Sequence, residues 1–222
     1  MPGSWGGTLW ENSGRDGESD MPVRVIGLSG SPHRHGNTER LLDAFLAGAE
    51  EGGGDVEKVV LKDLSYTPCR GCNACHKTGE CIVRDDAIPL FDRILSSDCL
   101  AVASPIYSMG ITAELKGLID RAQFLWARKF ILKTMYFSDD HVRRHKGIFI
   151  STAGLSWDNV FDAAFPAVTA FFNTLGFEYY DNIIANNMDQ YGGIQGHPTA
   201  LAEARKKGLS VVGVIRKLKG DS

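Results

Sequence analysis

No run of apolar residues in this chain approaches the roughly twenty that a membrane-crossing helix needs. The first twenty residues, MPGSWGGTLWENSGRDGESD, also lack the apolar centre and basic start of a secretion leader. Charge of one sign is not in surplus: 24 basic against 27 acidic residues leave a formal charge of −3, which gives no reason to expect nucleic acid as a partner. There is no internal repeat and no Pro- or Ser-rich linker to divide the chain. Three nucleotide and phosphate motifs are missing too. The pattern Gly, four residues, Gly-Lys-Ser/Thr is absent, and Gly27, Gly30 and Gly36 do not fit Gly-x-Gly-x-x-Gly. No Cys has an Arg six positions on, so a cysteine phosphatase loop is excluded as well. With 222 residues, 43% of them hydrophobic, what remains is enough for one well-packed domain.

Within that frame one stretch organises the rest, VRVIGLSGSPHRHGNTERLL from Val23 to Leu42. Val23, Val25, Ile26 and Leu28 form an apolar run, Ser29 to Pro32 break it, and Leu41, Leu42 and Phe45 follow at helical spacing. The pattern predicts strand, tight loop and helix, with Asn37 or Thr38 as the N-cap. Free amides in a first helical turn, the positive end of the helix dipole and the small residues Gly30 and Gly36 suit an anion such as phosphate. A strand-to-helix turn also needs Gly and Ser for its shape alone, so the loop by itself leaves ligand binding open.

The rest of the chain alternates. Residues 37–51 read as an amphipathic helix, 56–61 as a second strand and 67–84 as a cysteine-rich loop. A helix capped by Asp85 and Asp86 carries Ile88, Phe91, Ile94 and Leu95 on one face. The unbroken apolar run 99–103 suits a strand covered on both faces, with a loop over 104–110 and a helix over 111–126. Periodicity fails from 127 to 146, which reads as a partly ordered surface excursion, a lid or a subunit contact. A strand at 147–152, a helix over 159–175, a strand at 177–184 and a helix over 198–217 complete the chain. Five strands alternating with helices point to a parallel sheet of order 2-1-3-4-5 between two helical layers, with ligands at the strands' carboxyl ends. The loops after the first four strands then share one edge, which would make the cysteines neighbours of the anion loop. Residues 1–21, rich in Gly, Ser and acid, read as a disordered tail, and 22–222 as the domain.

Five cysteines are present, four of them within thirteen residues: Cys69, Cys72, Cys75 and Cys81. Repeated two-residue gaps resemble the way thiolates wrap an iron–sulfur cluster, and glycines at 71 and 79 allow the turns. Zinc held by these residues with His76, and thiols that hold no metal, are the alternatives. Such spacing is unlike a secreted disulfide framework, and with the absent leader it suggests a cytoplasmic protein. Cys99, inside a buried strand, reads as a packing residue. His33 and His35 could assist an anion, but exposed loop histidines are usually only solvated; Trp126, Trp157, Phe171 and Phe172 read as core or dimer contacts.

GLSGSPHRHGNTERLL resembles the opening of the flavodoxin-like NAD(P)H-dependent FMN reductases, whose members often carry Gly-Ser-Pro-Arg, a spacer and Gly-Asn-Thr after the first strand. The resemblance implies that Ser29, Ser31, Gly36, Asn37 and Thr38 hold the phosphate of FMN. Where the family has arginine after the proline, this chain has His33 followed by Arg34, so both join the candidates. SPIYSMGITAELKGLIDR, from Ser104 to Arg121, is similar to the family's flavin-ring segment and the helix after it. Flat apolar contact and backbone amides are what a flavin ring needs, and Pro105, Ile106, Tyr107, Ser108, Met109 and Gly110 offer both, with Ala153 and Gly154 from the fourth loop. The cysteines match, in spacing and position, the iron–sulfur flavoproteins of the same superfamily, which implies a [4Fe-4S] cluster on Cys69, Cys72, Cys75 and Cys81. The expectation is thus an FMN-dependent oxidoreductase relaying electrons between flavin and cluster, with a plain NAD(P)H-dependent FMN or quinone reductase as the alternative. NAD(P)H, a quinone or a ferredoxin-like protein would be the donor or acceptor, and the family implies a homodimer or homotetramer.

Overall fold

The computed structural model describes residues 22–220; the expected tail over 1–21 lies outside them. Strands β1 (Arg24–Ser29), β2 (Asp55–Val60), β3 (Cys99–Pro105), β4 (Lys146–Thr152) and β5 (Glu178–Ala185) form one parallel sheet of order β2-β1-β3-β4-β5. Between and after them run α1 (Asn37–Glu51), α2 (Cys75–Thr78), α3 (Ala87–Leu95), α4 (Ala113–Arg121), α5 (Gln123–Trp126), α6 (Asp139–Arg144), α7 (Phe165–Leu175), α8 (Met188–Tyr191) and α9 (Ala200–Gly220). This is the flavodoxin-like three-layer sandwich that the alternation of patterns predicts.

Because strand side chains alternate, each central strand feeds two cores. Ile26, Leu28, Leu100, Val102 and Phe149 pack under α3, α4, α5 and α7. Val25, Cys99, Ala101, Ala103, Ile148 and Ile150 pack under α1 and α9. The second layer is tight: a Cβ on Gly48 would lie 1.9 Å from the Arg205 carbonyl, and one on Gly208 would lie 2.0 Å from that of Phe45. Only glycine lets the two helix backbones approach so closely. Cys99 is fully buried, and burial pushes its thiol well above the ordinary range.

Several boundaries differ from the sequence reading. The long helix expected over 111–126 is divided, because Ala122 ends α4 before α5 begins. The helix expected from 159 starts at Phe165, after a run of turns. Residues 127–146 lie at the surface, as an excursion would, but are regularly structured and not partly ordered. A π-helical turn, Ala127–Ile131, and the capped helix α6 occupy the segment, and Arg128 Nε donates to the Gly79 carbonyl at 2.6 Å. Its partners lie far off in sequence, which is why periodicity could not show its order. Trp126 and Trp157 are substantially exposed and outside the core, whereas Phe171 and Phe172 are buried in it. Among the described residues no helix is long and apolar enough to cross a membrane.

Candidate functional site

The loops after β1, β3, β4 and β5 meet at the carboxyl edge of the sheet. Thr112, the N-cap of α4, ties two of them together: its Oγ1 donates to the Gly30 carbonyl at 2.6 Å and accepts from the Leu115 amide at 3.3 Å. Ser151 Oγ donates to the Ser104 carbonyl at 2.7 Å, and the Ile106 amide to the Thr152 carbonyl at 2.9 Å. Thr38 Oγ1 and Thr152 Oγ1 lie 2.5 Å apart, so the first helical turn of α1 is joined to the end of β4. The cleft so framed has a volume of about 260 Å³.

One wall is Ser31, His33, Gly36, Asn37 and Thr38; the facing wall is Pro105, Ile106 and Tyr107, with Ala153 and Gly154 between them. Thr152, Met188 and Asp189 complete the lining, and sequence reasoning missed all three. Met188 and Asp189 follow β5 without any motif to announce them. Their nearness is a close approach instead: a Cβ on Gly154 would sit 2.7 Å from an Asp189 carboxylate oxygen.

The anion-binding end differs from expectation in its cap. Gly36, not Asn37 or Thr38, occupies the N-cap, and no side chain caps the helix. Asn37 Oδ1 accepts instead from the Ile194 amide at 3.0 Å, and the Thr38 hydroxyl is engaged with Thr152. No side chain therefore occupies the first-turn amides of α1, and its first residues line the cleft, the condition under which a helix N-terminus receives an anion. Ser31 Oγ accepts from the His33 amide at 3.2 Å and donates to the His33 carbonyl at 3.1 Å, which holds the loop's turn.

Five candidates lie elsewhere. Ser29 is buried at the end of β1, its hydroxyl without a hydrogen-bond partner, and does not line the cleft. Arg34 points away, pairing with Asp63 and, at 3.4 Å, with Glu39. Ser108 and Met109 have φ of 48° and 66° and form the tip of a tight hairpin closed by reciprocal Tyr107–Gly110 hydrogen bonds of 2.9 and 3.0 Å. Met109 packs on Ala153, Val160 and Phe161. Glu39 takes the cationic partners expected for a phosphate. Its burial resists ionisation, but the His35 amide at 2.5 Å, Lys58 at 3.0 Å and Arg34 hold its carboxyl below the usual range.

The cysteine loop opens elsewhere than expected. From β2 the chain runs along α4, where Tyr66 OH donates to the Glu114 carbonyl at 2.5 Å and Arg121 to the Thr67 carbonyl at 2.8 Å. Burial raises the Tyr66 hydroxyl to about 12. Cys69, Cys72, Cys75 and Cys81 then line a cavity of their own at the far end of α4, with Arg121, Gln123 and Phe124 as its floor. Cys69 and Cys72 are exposed, Cys81 is partly buried and Cys75 is buried. Burial, and then the neighbouring thiols, push the Cys75 thiol up. Among the described residues no three His, Cys, Asp or Glu side chains converge as a single metal ion requires.

An α/β sandwich with an uncapped helix N-terminus at its carboxyl-edge cleft is a flavodoxin-like architecture. The model of the NADPH-dependent FMN reductases matches residues 23–156, and the chain belongs to that family of flavin-dependent oxidoreductases. Its curated relatives include an iron–sulfur flavoprotein of Archaeoglobus fulgidus, 39% identical over 45% of each chain. Another iron–sulfur flavoprotein, of Methanosarcina thermophila, is 32% identical over 50% of this chain and 58% of its own length. The chain thus spans about half the length of the curated relatives it matches. Among solved structures a flavone reductase superposes with a TM-score of 0.64 at 18% identity, covering 90% of this chain and 65% of that one, a likeness of fold.

Proposed function

We propose that this chain is an FMN-dependent oxidoreductase in which FMN occupies the cleft and a [4Fe-4S] cluster is held by Cys69, Cys72, Cys75 and Cys81. The observation that carries the reading is the role of α4 as a strut between two sites. Its N-cap is bonded to the anion loop, and its last residue lines the cavity that all four cysteines share. From Thr112 to Arg121 the helix rises about 13 Å at 1.5 Å per residue.

The free amides of Asn37, Thr38 and Glu39, with the hydroxyls of Ser31 and Thr38, would receive the phosphate. Among the described residues no Lys or Arg lines that end of the cleft, so the helix dipole and hydrogen bonds carry the charge. Pro105, Ile106 and Tyr107 would lie against the ring, and the small residues Ala153 and Gly154 let backbone approach it. FMN, when bound, takes up two electrons as hydride and can release them singly, which lets a one-electron centre share the work. The cysteine cavity fits such a centre: four cysteines line it, together with a buried Arg121 whose Nε has no partner, a lining suited to an anionic group. NAD(P)H or a ferredoxin-like protein is the donor we assign and a quinone a candidate acceptor, with the protein a cytoplasmic homodimer or homotetramer.

A reductase whose thiols hold no metal is the second reading, favoured by the exposure of Cys69 and Cys72. A visible spectrum with iron, sulfide and zinc assays on protein purified without oxygen decides. Flavin bands with about four irons per chain support the relay. Flavin without iron leaves the plain reductase, and no flavin overturns the assignment of the cleft.

A further inference from the structure

We propose that Arg121 is a positioning residue that sets the redox behaviour of the cysteine site by holding a positive charge against Cys81; the inference rests on the cluster reading above. Arg121 is 2% exposed, the largest fully buried side chain among the described residues. Its guanidinium spends its donors unevenly. Nη1 donates to the Thr67 carbonyl at 2.8 Å and to Asp85 Oδ2 at 2.6 Å, while Nη2 donates to the Val83 carbonyl at 3.1 Å and to Cys81 Sγ at 3.5 Å. Nε is buried and unpartnered, in a side chain that forms part of the cavity wall.

A staple for the loop would need only the bonds to Thr67 and Val83. A hydrogen bond to sulfur together with a spare buried N–H is instead the environment that favours negative charge on thiolate ligands. Asp85 offsets part of the arginine's charge; its burial resists ionisation, but the hydrogen bonds from Arg121 and the Thr67 and Ala87 amides, together with the arginine's charge, hold its carboxyl below the usual carboxylate range. The buried part of the field at the cysteines therefore comes from this cation and the partly buried anion beside it, with Arg70 a further cation on the cavity wall. A centre held on four thiolates would gain one negative charge with each electron, and Arg121 would stabilise that charge. Hydrogen bonds to sulfur and local net charge are among the terms that set such potentials.

The experiment is a redox titration of the protein with its cluster, followed by electron spin resonance, on wild type, Arg121→Lys, Arg121→Met and Asp85→Asn, with iron and sulfide counted in each. Arg121→Met is expected to lower the potential by the equivalent of about tenfold in preference for the reduced form, about 59 mV for one electron. Arg121→Lys restores most of it by keeping the charge. Asp85→Asn, which removes the offsetting anion, moves the potential the other way. If Arg121→Met fails to retain a cluster, Asp85→Asn decides: a potential at or below the wild-type value overturns the inference. An unchanged potential in a fully loaded Arg121→Met, or a loss that Arg121→Lys does not restore, shows a structural staple only. A wild type that binds flavin but takes up no iron defeats the cluster reading itself, an outcome distinct from the others.

Discussion

At the scale of single residues, charge is placed with economy. Arg34 sits in the loop expected to hold phosphate, yet its guanidinium is committed to Asp63 and Glu39. Arg34→Ala is therefore expected to change FMN affinity by less than about twofold, under 0.5 kcal/mol, in a fluorescence-quenching titration. A large loss would mean that the side chain swings into the cleft on binding. Thr38→Ala removes a hydroxyl that the cleft and Thr152 share. It should weaken FMN by about tenfold, the worth of about one hydrogen bond to a charged group. Arg34 was ambiguous in the sequence for a physical reason: its partner Asp63 is remote along the chain, and only folding decides which anion a mobile cation meets.

At the scale of elements, the α1–α9 contact depends on two glycines that meet carbonyls of the other helix. Gly48→Ala is expected to cost about 1–3 kcal/mol by overpacking, read as a lower urea midpoint with an unchanged slope. Helix α6 carries a different sensitivity. His141 stacks on Phe137 and on His145, the imidazole centroids 3.7 Å apart. Burial first, then the charges of His145 and Arg144, lowers His141 to about 4 against the opposing pull of Asp140 and Asp98, and burial lowers His145 as well. Because both folded-state values lie below the free imidazole value of about 6.5, this packing supports the fold above that pH. Its contribution is lost as the pH falls from there toward 4. Thermal unfolding should show a melting temperature that declines over that window, and His141→Phe should flatten the decline. Periodicity revealed α1, α3 and α7 because each buries a single face. It could not reveal α6 or the π-helical turn, whose order comes from contacts such as Arg128 with Gly79.

At the scale of the molecule, the two sites have separate linings joined by α4. Cys72→Ser is accordingly expected to abolish iron binding while FMN still raises the melting temperature, by mass action worth about 2.7 kcal/mol at a hundredfold excess over Kd. Loss of FMN binding in that variant, with iron retained, would sink the two-site picture.

The amino-acid order alone determined the strand and helix alternation, hence the parallel sheet and its carboxyl-edge cleft, because side-chain periodicity is a local property of each element. It also placed four thiols within thirteen residues, close enough along the chain to share one cavity: two gaps of two residues and one of five. Tertiary structure decided what depends on elements that meet only after folding. It added Thr152, Met188 and Asp189 to the cleft and drew Arg34, Ser29 and the Met109 turn out of it. The cysteines came to the far end of α4 for the same reason: the chain leaving β2 is bonded along that helix before it reaches Cys69. Arg121 became the buried cation beside them because α4 ends there, a juxtaposition that a separation of forty positions does not foretell.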